Sequence, residues 1–189
     1  MERETRLRLL GLLPLVFVAL QLHHHWSRGR PADILWACNV CDATLALGLL
    51  ANAPVLVRPA ALWLLLGIPL WVLDMALTGD CNVPTFLSHI GGLTVGLAAV
   101  WKLRAAARAW RDALAGYLFL QLVCRFATPP ELNVNVAHRQ YDNVPTPFAA
   151  YWQYWLVTTL AVAACLWLAN VGLQRVFPPL AAHEERNRA

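Results

Sequence analysis

The 189 residues are 59% hydrophobic and only 14% charged, far from the balance of a water-soluble globular domain. The net charge of +4 comes from arginines scattered between apolar runs, with no basic face of the kind phosphate binding requires, so the expected partner is membrane lipid and not nucleic acid. Several runs approach the roughly 20 residues that cross a bilayer as a helix, which predicts an all-α, polytopic membrane bundle.

Six apolar segments follow in chain order, at about residues 7–22, 34–51, 54–77, 85–103, 109–126 and 148–171. The first contains Pro14 and follows a basic start, Arg3, Arg6 and Arg8; no small-x-small cleavage site precedes His23, so it reads as a retained anchor. Residues 1–179 form a single transmembrane domain, and 180–189 a polar tail beyond Pro178 and Pro179. Alternating the loops puts eleven basic residues on one side: Arg3, Arg6, Arg8, Arg58, Lys102, Arg104, Arg108, Arg111, Arg175, Arg186 and Arg188. Four fall on the other, Arg28, Arg30, Arg125 and Arg139, so the positive-inside rule predicts both termini in the cytoplasm. The excess of arginine over lysine suggests a GC-rich bacterial genome, hence the cytoplasmic (inner) membrane.

The outer face then carries the His23-His24-His25-Trp26 loop, the turn at 78–84 and a long loop at 127–147 with Asn133, Asn135, His138, Tyr141, Asp142 and Asn143. Tyr151, Trp152, Tyr154 and Trp155 open the last helix as an interfacial aromatic belt. No internal repeat is visible.

Ionisable side chains inside a spanning helix are expensive, so each is a functional candidate. Asp42 and Asp74 stand out, together with His89 and the pair Cys38 and Cys41 around Asn39. At about 1.5 Å per residue, Cys38 and Cys41 lie about 6 to 11 Å from the outer end of the second helix, His89 about 6 Å into the fourth and Asp74 about 5 Å into the third. One layer beneath the outer surface holds them all. Residues three and four apart share a face, which groups Cys38, Cys41, Asp42 and Leu45; Gly67, Trp71, Asp74 and Thr78; and Thr85, Ser88, His89, Gly92 and Gly96. Gly92 and Gly96 permit close helix contact, so His89 is expected to face protein.

Three chemistries suit this layer. In the first, a thiol of Cys38 or Cys41 is the nucleophile, the His89 imidazole removes its proton and a carboxylate, Asp74, orients the imidazole, with Asn39, Asp42, Ser88, Asn133 and Asn135 around them. In the second, Cys38, Cys41, Cys81 and Cys124 relay electrons by thiol–disulfide exchange with a quinone or a partner protein, although Cys81 and Cys124 equally suit a static disulfide. The third is a non-catalytic ligand-binding or transport site. No metal or other cofactor is expected: the His23-His24-His25 run has no accompanying ligand motif, and no phosphate-cradling glycine loop, HExxH or G-x-S-G is present.

The stretch from Asp33 to Asp42 (DILWACNVCD), the helix end Trp71–Asp74 and the run from Pro84 to Gly96 (PTFLSHIGGLTVG) resemble the YwaF-like family of bacterial membrane proteins. The later Asn-rich loop around Glu131–Asn135 and the aromatic helix start at Tyr151–Trp155 are similar too. Relatives of that family include a transmembrane lipid acyltransferase and, more remotely, hydrolases of fatty-acid esters. The resemblance therefore implies acyl chemistry on lipid, with Cys41, directly before Asp42, as nucleophile and His89 as base. Asn39 replaces the histidine usual just before the cysteine, and six spans are one fewer than the family's. The run Ser88-His89-Ile90-Gly91-Gly92 is also similar to the histidine helix of rhomboid proteases, without their G-x-S-G serine.

Overall fold

A computed structural model describes residues 2–79, 81–141, 145 and 147–179, with 2 and 3 as backbone only. The polar tail and loop residues Asp142 and Asn143 lie outside the described residues. The described chain is all-α, without a strand. Its helices are α1 (Glu2–Leu10), α2 (Leu12–Ser27), α3 (Ala37–Leu50), α4 (Pro54–Thr78), the short α5 (Val83–Phe86), α6 (Gly92–Leu103), α7 (Ala109–Ala127) and α8 (Tyr151–Val176). A π-helical turn, Leu87–Gly91, joins α5 to α6, and 3-10 turns cover Pro31–Leu35 and Val134–Val136.

Among the described residues four helical stretches are long and apolar enough to cross a membrane: Glu4–Ser27, Pro54–Thr78, Val83–Leu103 and Tyr151–Val176. The other two expected segments are weaker. α3 has 14 residues, about 21 Å against a hydrocarbon core of about 30 Å. α7 carries Arg111, Asp112, Gln121 and Arg125 among its 19 residues. The His23-His24-His25-Trp26 stretch, expected as a loop, is instead the last turn of α2. Histidines are compatible with the partial negative charge of a helix C-terminus, and the first breaker is Gly29, at φ 69°. α8 likewise runs five residues past its expected end at 171, because nothing interrupts it before Pro178 and Pro179.

Consecutive long helices alternate in direction between two ends, and hydrogen bonds across each end fix the pairing. At one end Arg58 at the start of α4 donates from Nε to the Arg104 carbonyl and from Nη2 to that of Leu103, each at 2.9 Å. There too the Ala105 amide donates to the Phe177 carbonyl at 3.1 Å and Asn170 Nδ2 to the Ala107 carbonyl at 3.1 Å. The opposite end is bound by the long loop. Asn135 Oδ1 accepts from the Ala37 amide at 2.8 Å, supplying α3 with the cap that its local sequence lacks. Asn135 Nδ2 donates to the Leu35 carbonyl at 2.7 Å, and the Tyr151 hydroxyl to the Val136 carbonyl at 2.8 Å.

α4 is the central helix, packed by α3, α6, α7 and α8. Small residues set its close approaches: a Cβ on Gly96 would lie 3.2 Å from the Ala61 Cβ, and one on Gly48 2.9 Å from Val57 Cγ2. Leu45, Ala61, Leu62, Ala99 and Leu166 are completely enclosed, whereas Phe119, Leu160, Trp167 and Leu168 stand at least half exposed on the outside. Apolar residues on both the inside and the outside are what a lipid solvent permits and water does not.

Candidate functional site

The π turn positions two adjacent polar side chains inward. In an α-helix neighbours diverge by about 100°, and the spacing with Thr85, Gly92 and Gly96 puts Ser88 and His89 on the two edges of one face. Here both are buried. A π turn adds a residue to one turn, and such turns recur at functional sites. Ser88 Oγ donates to Asp42 Oδ2 at 2.5 Å, and both residues are inaccessible to solvent. Asp42 Oδ1 finds no hydrogen-bond partner among the described residues and points at Gly92, where an added Cβ would collide with it. Glycine is therefore needed at 92 for the carboxylate to fit.

His89 Nδ1 donates to the Thr85 carbonyl at 2.9 Å. A carbonyl only accepts, so this bond assigns the Nδ1–H tautomer to the neutral ring and leaves Nε2 as the acceptor. The imidazole stacks on Trp71, with ring centroids 4.8 Å apart and planes 15° from parallel; Phe86 meets Trp71 edge-on at 6.2 Å. A Cβ on Gly67 would lie 4.0 Å from His89 Cδ2, so α4 leaves room for the ring. Asp74, one turn beyond Trp71, is within electrostatic reach of the imidazole and accepts a hydrogen bond at Oδ1 from the Tyr141 hydroxyl. A fixed imidazole with an acceptor nitrogen, a carboxylate and a phenol thus lie together near the loop end of α4. This group can accept protons or hydrogen bonds from a ligand, and its aromatic walls hold the ring in place.

The cysteines lie elsewhere. Cys41 is buried in a cluster with Leu45, Ala60, Leu64 and Val95 and lines an apolar cavity between α3, α4 and α7. It makes no hydrogen bond with His89 among the described residues; adjacent on α3, Asp42 turns to the π turn and Cys41 to the cavity. The Cys38 thiol donates to Asn39 Oδ1 at 3.7 Å, and Asn39 Nδ2 binds the Asp33 carbonyl at 3.2 Å and meets His25 Nε2 at 3.4 Å. All five cysteines are free, so the static Cys81–Cys124 disulfide, one of the two alternatives for that pair, is not formed. Cys124 is enclosed at the end of α7 and accepts from Asn135 Nδ2 at 3.2 Å, while Cys81 is exposed between α4 and α5.

Asn133 and Asn135, expected around a pocket, pin the long loop instead. Asn133 Oδ1 accepts from the His138 and Arg139 amides, both at 3.1 Å, and both asparagines adopt left-handed backbone, φ 46° and 53°. Asparagine tolerates that region better than most residues, which is a signal the sequence contains but does not locate. Tyr141 as the partner of Asp74 was not singled out from the sequence; 67 residues separate them and no spacing rule connects them. Among the described residues no group of three or more His, Cys, Asp or Glu side chains could hold a metal ion. No family model, curated protein or solved structure matches the chain.

Proposed function

We propose that this chain is an integral protein of a bacterial inner membrane, with six spans and both termini cytoplasmic, and that His89, Asp74 and Tyr141 form a ligand site just beneath its outer surface. Support for six spans comes from the alternating directions of the helices: α3 begins at the loop-bound end and α4 at the Arg58 end, so the chain also passes between the two ends along the shorter helices. Arg58, Lys102, Arg104, Arg108, Arg111 and Arg175 then gather at the cytoplasmic end.

The observation that carries the ligand reading is the fixed imidazole: Thr85 and Trp71 hold His89 on two sides and leave Nε2 without a partner among the described residues, with the Asp74 carboxylate nearby. Acceptors of this kind suit an amphiphile whose head donates hydrogen bonds, an alcohol or an ammonium. A photoactivatable phosphatidylethanolamine tests the site. Losing a hydrogen bond to a charged partner weakens binding by about tenfold or more, so His89→Gln and Asp74→Asn should each cut labelling by that factor, and Cys41→Ser should leave it unchanged.

A second reading, acyl hydrolysis or transfer on lipid through Cys41, is favoured by the place of that thiol in the wall of an apolar cavity. Its signature is the opposite pattern: an acyl-directed thiol probe labels the wild type, and Cys41→Ser abolishes the labelling. Equal labelling of wild type and His89→Ala would argue against His89 as the base of that thiol.

A further inference from the structure

We infer that the cavity between α3, α4 and α7 seats one acyl chain of a membrane phospholipid, as a resident molecule that is bound and not turned over. The inference rests on the six-span embedding proposed above and does not involve the His89 site.

Three helix faces build the cavity at helical spacing: Cys41 and Thr44 on α3, Pro59 and Trp63 on α4, and Ala113 with Gly116 and Tyr117 on α7. Its volume is about 360 Å³, at the lower end of small-molecule sites, and its walls are almost wholly apolar. At about 30 Å³ per water-sized group that is room for about a dozen methylenes. The lining runs from Val55 and Leu56, near the Arg58 end of α4, to Ala37 and Cys41, near the loop-bound end of α3, so the cavity extends along the bundle between its two ends.

Two details point to an occupant and away from a packing fault. Gly116 has nothing within 4 Å of where its Cβ would be, so the protein itself leaves this wall open. Tyr117 ends a directional chain of hydrogen bonds. Trp155 Nε1 donates to Gln121 Oε1 at 2.9 Å, and Gln121 Nε2 donates to the Tyr117 hydroxyl oxygen at 2.6 Å. The hydroxyl proton finds no acceptor among the described residues. An ester carbonyl at the head of an acyl chain supplies one. Hydrocarbon alone gains little by leaving the bilayer for such a cavity, since lipid tails are as apolar as its walls; packing and this hydrogen bond supply the preference.

The experiment uses the full chain in phosphatidylcholine vesicles carrying a phosphatidylcholine with a photoactivatable acyl chain, and maps the labelled residues. The choline head donates no hydrogen bond, which keeps the probe away from the chemistry proposed for His89. Labelling of wild type is expected at cavity residues above the level at Phe119, which stands outward on α7. Gly116→Leu should bring cavity labelling down to that level. Gly172→Leu, whose glycine on α8 also faces open space, should leave it unchanged. Tyr117→Phe should lower it about threefold, the worth of one intramembrane hydrogen bond of about 0.6 kcal/mol. Cavity labelling that is equal in wild type and Gly116→Leu, with Phe119 labelled in both, overturns the inference while leaving the embedding intact. Labelling of α8 without any on α3 or α7 refutes the embedding instead.

Discussion

Replacing Gly92 with alanine probes the tightest contact in the polar layer, and its sign depends on one other residue. In the wild type the new Cβ runs into Asp42 Oδ1, and Asp42 is held from the other side by Ser88 at 2.5 Å and fully enclosed, so neither group moves freely. Overpacking of this kind costs about 1 to 3 kcal/mol. Against it stands the usual gain of about 0.5 to 1 kcal/mol when alanine replaces glycine inside a helix. The net expectation is a loss of up to about 2.5 kcal/mol, or a fall in Tm of up to about 5 to 10 °C for a chain of this size. With Asp42→Ala already present the obstacle is gone, the next contact being Leu64 Cδ2 at 3.3 Å, and only the helical gain remains. Gly92→Ala should then stabilise. Thermal unfolding of the four proteins in one detergent measures the cycle, with an expected coupling of about 1 to 3 kcal/mol. Equal effects of Gly92→Ala in both backgrounds, to within about 0.5 kcal/mol, would falsify the reading of Asp42 as wedged between Ser88 and Gly92.

Nitrogen NMR of the neutral His89 ring should show the proton on Nδ1, as its bond to the Thr85 carbonyl requires; a proton on Nε2 would contradict the geometry. Asn135→Ala removes bonds to Ala37, Leu35 and Cys124, so it should cost about 1 to 3 kcal/mol and raise the alkylation rate of Cys124, both measurable in detergent. A membrane-impermeant maleimide applied to intact cells should modify exposed Cys81 and spare buried Cys41 and Cys124. Protection of Cys81 until the cells are opened would reverse the proposed orientation. Tyr141→Phe should reduce labelling by the phosphatidylethanolamine probe less than Asp74→Asn does, because it leaves the Asp74 carboxylate in place.

Apolar run length revealed the helices and their solvent, and it marked Pro54–Thr78 to within one residue. That signal is cumulative over about 20 residues and hard to mistake. Their ends were less legible: the histidines after Leu22 look polar enough to end a helix, yet α2 continues to Ser27. Of the candidate layer, helical spacing brought out the pairing of Gly67 and Trp71 with Asp74 and the inward face of His89. It also grouped Cys41 with Asp42, which the fold separates, since adjacent residues point to different neighbours and only the packing of α6 and α7 decides which neighbour each meets. The contacts of Asn135 with α3 and of Tyr141 with α4 span 98 and 67 residues and leave no periodic trace.

The π turn at Leu87–Gly91 has a consequence for any change in the length of this chain. Residues before and after it are out of phase on a single helical wheel, so a face drawn straight through from Thr85 to Gly96 is displaced by about one residue. Deleting one position within the turn would restore a regular helix without shortening its hydrogen-bond ladder. The segment would survive as a helix, but the residues before the turn would rotate by about 100° against those after it, and the change would register as lost packing and not as lost helicity.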